Sequence, residues 1–143
     1  MEKNFEFLDH TADAKFRAYG KNMEEAFANA ALALTNLVFD TSKIVRKANK
    51  SIQIEAHDLP SLLVKFLSEF VYLLDAEGFI LSKIASVTIN KSSGGYKLAA
   101  IAMGDLHPEK YEALGDVKAV TYAELEIKEE SKNKFYVQVV VDI

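Results

Sequence analysis

Phe5 and Phe7 alternate with Asn4 and Glu6, and beyond the polar stretch Asp9-His10-Thr11-Ala12-Asp13 the segment from Ala14 to Tyr19 alternates again and closes at Gly20. A period of two marks a half-buried strand, so two short strands flank an acidic loop. From Met23 the spacing changes to three and four: Met23, Phe27, Ala30, Ala31, Leu34 and Val38 share one face, which predicts an amphipathic helix running to about Phe39. Asn22 and Glu25 form a capping box at its start. Ser51 to Ala56 alternates as a strand, and Asp58 with Pro60 then reads as the N-terminus of a second helix. That helix carries Leu62, Leu63, Phe66, Phe70, Leu73 and Leu74 on one side, Ser61, Lys65, Ser68 and Asp75 on the other, and stops at Glu77-Gly78.

The second half is strand-rich. Phe79 to Asn90 and Tyr96 to Met103 are strand-like, joined through Ser92-Ser93-Gly94-Gly95 as a hairpin turn. Asp105 to Gly115 reads as loop with one helical turn around Glu109 to Ala113, Val117 to Lys128 alternates as one strand, and a last strand runs from Lys134 to Asp142. The order is strand, strand, helix, strand, helix, strand, strand, short helix, strand, strand. This predicts an α+β fold, two main helices packed on a mainly antiparallel sheet, in a single domain over residues 1–143.

Composition narrows the function. The 143 residues are 50% hydrophobic and 27% charged, enough to bury a core without staples. Cysteine is absent, which excludes disulfides, thiolate metal sites and cysteine nucleophiles. A net charge of -4 argues against free-standing nucleic-acid binding, which needs a basic face to displace counterions. The N-terminus alternates instead of showing a basic stub and an apolar run, and Lys65, Glu69 and Asp75 interrupt the longest apolar stretches. The expectation is a cytoplasmic protein with no membrane partner.

Most catalytic chemistries lack their residues. His10, His57 and His107 show no i, i+4 pair for zinc, and His57 and His107 read as loop residues. The Ser92–Gly95 run lies between strands, not before a helix N-terminus as a phosphate cradle requires, and no Gly-x-Ser-x-Gly elbow occurs. Carboxylates remain. Asp9 and Asp13 bracket the first loop, and the last strand finishes Val141-Asp142-Ile143. If that loop lies beside the strand end, Asp13, Asp142 and the Ile143 carboxylate offer three hard oxygen groups, a set suited to calcium or magnesium. The plain alternative is solvated terminal acids and a loop aspartate acting as a turn former. An acid–base pair of Asp9 with Asp13 or Asp142 at a bound metal would instead make the chain an enzyme in its own right.

Phe7-Leu8-Asp9-His10-Thr11-Ala12-Asp13, Ala18-Tyr19-Gly20, Asp75-Ala76-Glu77-Gly78-Phe79, Val117-Lys118-Ala119-Val120-Thr121-Tyr122 and Val141-Asp142-Ile143 together resemble the archease family, in order and from end to end. The resemblance implies a strand-helix-strand-strand module with an inserted α+β segment. It implies a non-enzymatic protein cofactor of the RNA-splicing ligase that joins 2′,3′-cyclic-phosphate or 3′-phosphate ends to 5′-hydroxyl ends. Such a cofactor promotes the ligase–guanylate intermediate and repeated turnover in tRNA splicing and RNA repair, meeting RNA and guanosine triphosphate only through the ligase. The metal ligands it implies are Asp13, Asp142 and Ile143, and Lys118, Asp9 and His10 are the candidate ligase-activating residues. Many family members carry histidine after the Thr-Tyr pair, where this chain has Ala123. A calcium-stapled interaction module or a chaperone for RNA-modifying proteins is the alternative role.

Overall fold

The computed structural model describes residues 3–9 and 13–143. In chain order the strands are β1 (Phe5–Leu8), β2 (Ala14–Gly20), β3 (Ala48–Ala56), β4 (Ile80–Ser92), β5 (Gly95–Asp105), β6 (Ala119–Val120), β7 (Glu126–Ser131) and β8 (Lys134–Asp142). Helix α1 (Met23–Asn36) follows β2, helix α2 (Leu59–Glu77) follows β3, and single 3-10 turns occupy Thr41–Lys43 and Pro108–Lys110.

All strand pairings are antiparallel, but they form two sheets where the sequence pattern suggests one. In the larger sheet β1 pairs β2 and β2 pairs β8. Since β2 occupies one edge of β8 along most of its length, β6 and β7 share the other. The smaller sheet has the order β3-β5-β4. Thus β2, α1, β7 and β8 make a strand-helix-strand-strand unit, and β3, α2, β4 and β5 are the inserted α+β segment.

The helix ends follow local chemistry. Asn22 caps α1 by accepting the Glu25 amide at 2.8 Å, while the Glu25 carboxylate accepts the Lys21 amide at 3.0 Å. Asp58 accepts the Ser61 amide at 2.8 Å at the start of α2, and Gly78 ends it at φ 68°, a left-handed conformation that favours glycine. Helix α1 stops at Asn36, short of the expected Phe39. The Asn36 side chain turns back to the Leu32 carbonyl and the Thr41 amide, while tight turns keep Val38 and Phe39 in the core, so the apolar period outlasts the helix.

Two further differences are instructive. Strand β3 begins at Ala48 because Ala48 pairs with Gly104 of β5, and the polar Asn49-Lys50 pair hides this from the apolar pattern. The expected single strand from Val117 to Lys128 is broken into β6 and β7. Thr121 Oγ1 donates to the Val140 carbonyl at 2.8 Å and accepts the Ala123 amide at 3.2 Å, closing a turn that side-chain alternation cannot reveal.

One continuous core joins both sheets and both helices. Phe27 of α1 stacks on Phe66 of α2 at 6.3 Å, and Phe66 meets Phe70 edge-on at 5.1 Å. Helix α1 packs against β2, β8 and β4. It follows β2 after a two-residue connection and returns along it, so its C-terminus lies at the end of the sheet where β2 starts and β8 finishes. Among the described residues no helix is long and apolar enough to cross a membrane.

Candidate functional site

The register of the larger sheet determines what meets at that end. The last β2–β8 pair is Ala14 with Val141, and the next residues outward are Asp13 and Asp142. On the other edge Ala119 pairs with Asp142, and the Lys118 amide donates to the Asp142 carbonyl at 2.8 Å, which sets Lys118 beside Ile143. Leu8 pairs with Lys15, so Asp9 also lies at this end. Asp9, Asp13, Lys118, Asp142 and Ile143, spread across the chain in sequence, are thereby gathered at one sheet end. Of these Asp13 is half-buried and the rest are exposed. His10, the remaining candidate, falls outside the described residues.

Alternation explains the facing. Phe16 and Ala18 of β2 and Val137, Val139 and Val141 of β8 enter the core. The intervening positions, Lys15, Arg17, Gln138 and Asp142, take the opposite face of the sheet. Behind the carboxylates this face is tied together by side chains. Lys15 Nζ donates to Glu124 Oε1 at 2.9 Å. Arg17 Nε donates to Gln138 Oε1 at 2.9 Å, and its guanidinium lies 4.6 Å from the centre of the Tyr136 ring. Gln138 Nε2 donates to the Glu124 carbonyl at 2.8 Å, and the Tyr136 hydroxyl donates to Glu126 at 2.7 Å. That last bond holds the Glu126 carboxyl below its ordinary range. Gln138 and Tyr136 are buried, so this network fixes the strands that carry Asp13 and Asp142.

Among the described residues no group of three histidine, cysteine, aspartate or glutamate side chains comes within metal-binding distance. Asp9 therefore does not complete a side-chain triad with Asp13 and Asp142, and a third oxygen donor would have to come from the main chain at Ile143. The donor set is all hard oxygen, which fits calcium or magnesium in preference to zinc or copper. The Asp142 carboxylate has no hydrogen-bond or ion-pair partner among the described residues. The last turn of α1 contains no basic residue.

Lys15 and Glu124 border the site without having been singled out by the sequence. Lys15 was accessible to that reasoning, lying two positions from Asp13 on an alternating strand. Glu124 was not: it takes φ 51° in the β6–β7 turn, a conformation that no apolar pattern predicts. His57 and His107 are exposed loop residues, beside Asp58 at 3.4 Å and Glu109 at 3.5 Å respectively. The Ser92–Gly95 run is the β4–β5 hairpin turn, with Ser92 paired to Gly95.

Residues 5–143 match the archease protein family (MTH1598/TM1083). The chain belongs to the archease family. It is 41% identical over 142 residues to the protein archease of Methanosarcina mazei, covering 99% of this chain and 97% of the relative. It is 39% identical to the protein archease of Pyrococcus abyssi, covering 99% of each. The solution structure of Methanobacterium thermoautotrophicum protein 1598 superposes with a TM-score of 0.85 at 38% identity, over 98% of this chain and 99% of that one. A crystal structure described as an archease and possible chaperone, from Thermotoga maritima, shares the fold at a TM-score of 0.56 and 16% identity, over 100% of this chain and 98% of that one. In this archease the motifs Val117–Tyr122 and Val141–Ile143 fall at the acidic end of the larger sheet with Asp9 and Asp13, whereas Ala18–Gly20 lies at the far end of β2 and Asp75–Phe79 closes α2.

Proposed function

We propose that this archease is a protein activator of the RNA-splicing ligase, working through a divalent-cation site formed by Asp13, Asp142 and a main-chain oxygen of Ile143. The observation that carries the reading is the convergence of β2, β6 and β8, which sets Asp13, Asp142, Ile143 and Lys118 side by side at an exposed end of the sheet. When bound there, calcium or magnesium supplies a fixed positive charge that offsets the carboxylates. Asp13 and Asp142 bind and orient, each on a strand end held by the polar network behind it. Lys118, fixed to β8 through its own amide, presents an ammonium group at the rim. Asp9 lies at the same end of the sheet, and His10, the other candidate, falls outside the described residues.

An activator of this kind shifts its partner toward a competent arrangement through differential contacts and breaks no bond itself. The ligase supplies the nucleophile and binds guanosine triphosphate and RNA, and the acidic end docks near its active site.

The test is ligation of a 2′,3′-cyclic-phosphate RNA by limiting cognate ligase with guanosine triphosphate, in the presence of wild type, Asp13→Ala or Asp142→Ala. Repeated turnover with wild type alone is the expected result. Each variant should reduce stimulation by at least about tenfold, equivalent to about 1.4 kcal/mol. Wild-type stimulation by either folded variant overturns the reading, and stable binding of RNA-modifying proteins without ligase stimulation would favour the chaperone role.

A further inference from the structure

Away from the acidic end, four cations cluster around the start of β3. Lys43, Arg46 and Lys47 lie in the connection from α1, and Lys83 is in β4; all four are exposed. Their neighbourhood is defined by backbone contacts. The Lys47 amide donates to the Gly104 carbonyl at 2.9 Å, Gly104 pairs with Leu81, and Lys83 pairs with Met103. Arg46 Nε donates to Ser82 Oγ at 3.4 Å, beside Lys83. Many other lysines of the chain are spoken for: Lys3 by Glu6, Lys15 by Glu124, Lys97 by Glu55 and Lys128 by Glu126. Lys50, close by, is neutralised by Glu77. Lys43, Arg46, Lys47 and Lys83 have no carboxylate ion pair among the described residues. Asp40, which feels the Lys43 charge, caps the Thr41–Lys43 turn through Ser42, and Asp105 is buried and hydrogen-bonded.

The connection that follows β5 ties this patch to the acidic end. Tyr111 accepts the Val45 amide at 3.1 Å, and seven residues later the Lys118 amide bonds to Asp142. Seven residues of extended chain span at most about 25 Å. A partner gripping the acidic end therefore leaves the basic patch within reach of whatever that partner holds.

We propose that Lys43, Arg46, Lys47 and Lys83 contact the phosphate backbone of RNA held by the ligase, an inference that rests on the activator reading above. Three of the four are lysine, a residue depleted in protein interfaces, and the only large apolar side chain exposed among them is Val45, at 42%. One-sign patches of this kind attract phosphates through counterion release. A chain of net charge -4 repels a polyanion as a whole, so approach to RNA requires such a local exception.

The test uses the quadruple variant Lys43→Gln/Arg46→Gln/Lys47→Gln/Lys83→Gln in two arms. With the ligase, stimulation of guanylylation in the absence of RNA should equal that of wild type. The KM for RNA in joining should rise about tenfold, and its logarithmic dependence on salt should become shallower by about 2 to 3, given about 0.7 per single-strand phosphate contact. An unchanged KM and salt slope overturn the proposal. So does loss of guanylylation without RNA, which would place the patch on the ligase itself. The second arm is titration of a labelled single-stranded RNA with the archease alone at low salt, where weak, salt-sensitive binding is expected of wild type and lost in the variant. If wild type fails to stimulate guanylylation, the activator reading fails, and this arm still decides the patch: equal affinity of the two proteins overturns it.

Discussion

Two residues outside glycine adopt positive φ among those described, Glu124 at 51° and Asn133 at 63°. Asparagine tolerates the left-handed region because its short side chain bonds locally, whereas a β-branched side chain there clashes with the backbone at a cost of about 1–2 kcal/mol. Asn133→Val should therefore lower the unfolding free energy by about that much in urea titrations, and Asn133→Gly should leave it within about 0.5 kcal/mol of wild type. Both should stimulate the ligase normally, because the β7–β8 turn is at the opposite end of β8 from Asp142. Glu124 serves a different need. Its backbone turns the chain between β6 and β7 so that its carbonyl reaches Gln138 and its carboxylate reaches Lys15. Asp13 and Asp142 were legible because strands alternate and because the last strand runs into Asp142, whereas Lys118 entered only through the family resemblance. Glu124 stayed hidden because its role depends on a turn closed by Thr121 and on two partners distant in sequence.

At the scale of elements, the connection from β5 to β6 does most to join the inserted segment to the acidic end. Tyr111 anchors it by donating to Asp105 at 2.7 Å while accepting the Val45 amide, Leu114 donates to the Val38 carbonyl at 2.7 Å, and buried Val117 precedes Lys118. The Tyr111 hydroxyl holds the Asp105 carboxyl below its ordinary value of 3.8, opposed by burial and helped by the Leu106 amide. A depressed carboxylate contributes stability that is present above its unfolded value and is lost as pH falls through its folded value. Tyr111→Phe should therefore melt lower than wild type at neutral pH, with the gap narrowing below about pH 4 as Asp105 protonates in both. A gap independent of pH from about 3 to 7 would assign the loss to the Val45 contact alone. Elements with strong period and caps, α2 above all, were readable within a residue or two. The β6–β7 break and the early start of β3 were not, since each depends on a pairing partner: Val140 for Thr121, and Gly104 for Ala48.

For the whole molecule, folding and the proposed cation site are coupled through the larger sheet. Asp13 and Asp142 come together only when β2 and β8 pair, so a cation held there binds the folded chain and not the unfolded one. Such a ligand stabilises by about 2.7 kcal/mol when present at about 100 times its dissociation constant. For a chain of this size that is on the order of an 8 °C rise in melting temperature. Titrating calcium, and separately magnesium, into chelator-treated protein should raise the melting point saturably in wild type. Asp142→Asn should abolish the rise. Removing one of two neighbouring carboxylates also relieves repulsion, so Asp142→Asn in chelator should melt no lower than wild type. A melting point indifferent to both cations would remove the metal from the activator reading and leave Lys118 and the carboxylates to act on the ligase directly. A saturable rise without ligase stimulation would make the cation a staple of the β2–β8 junction alone.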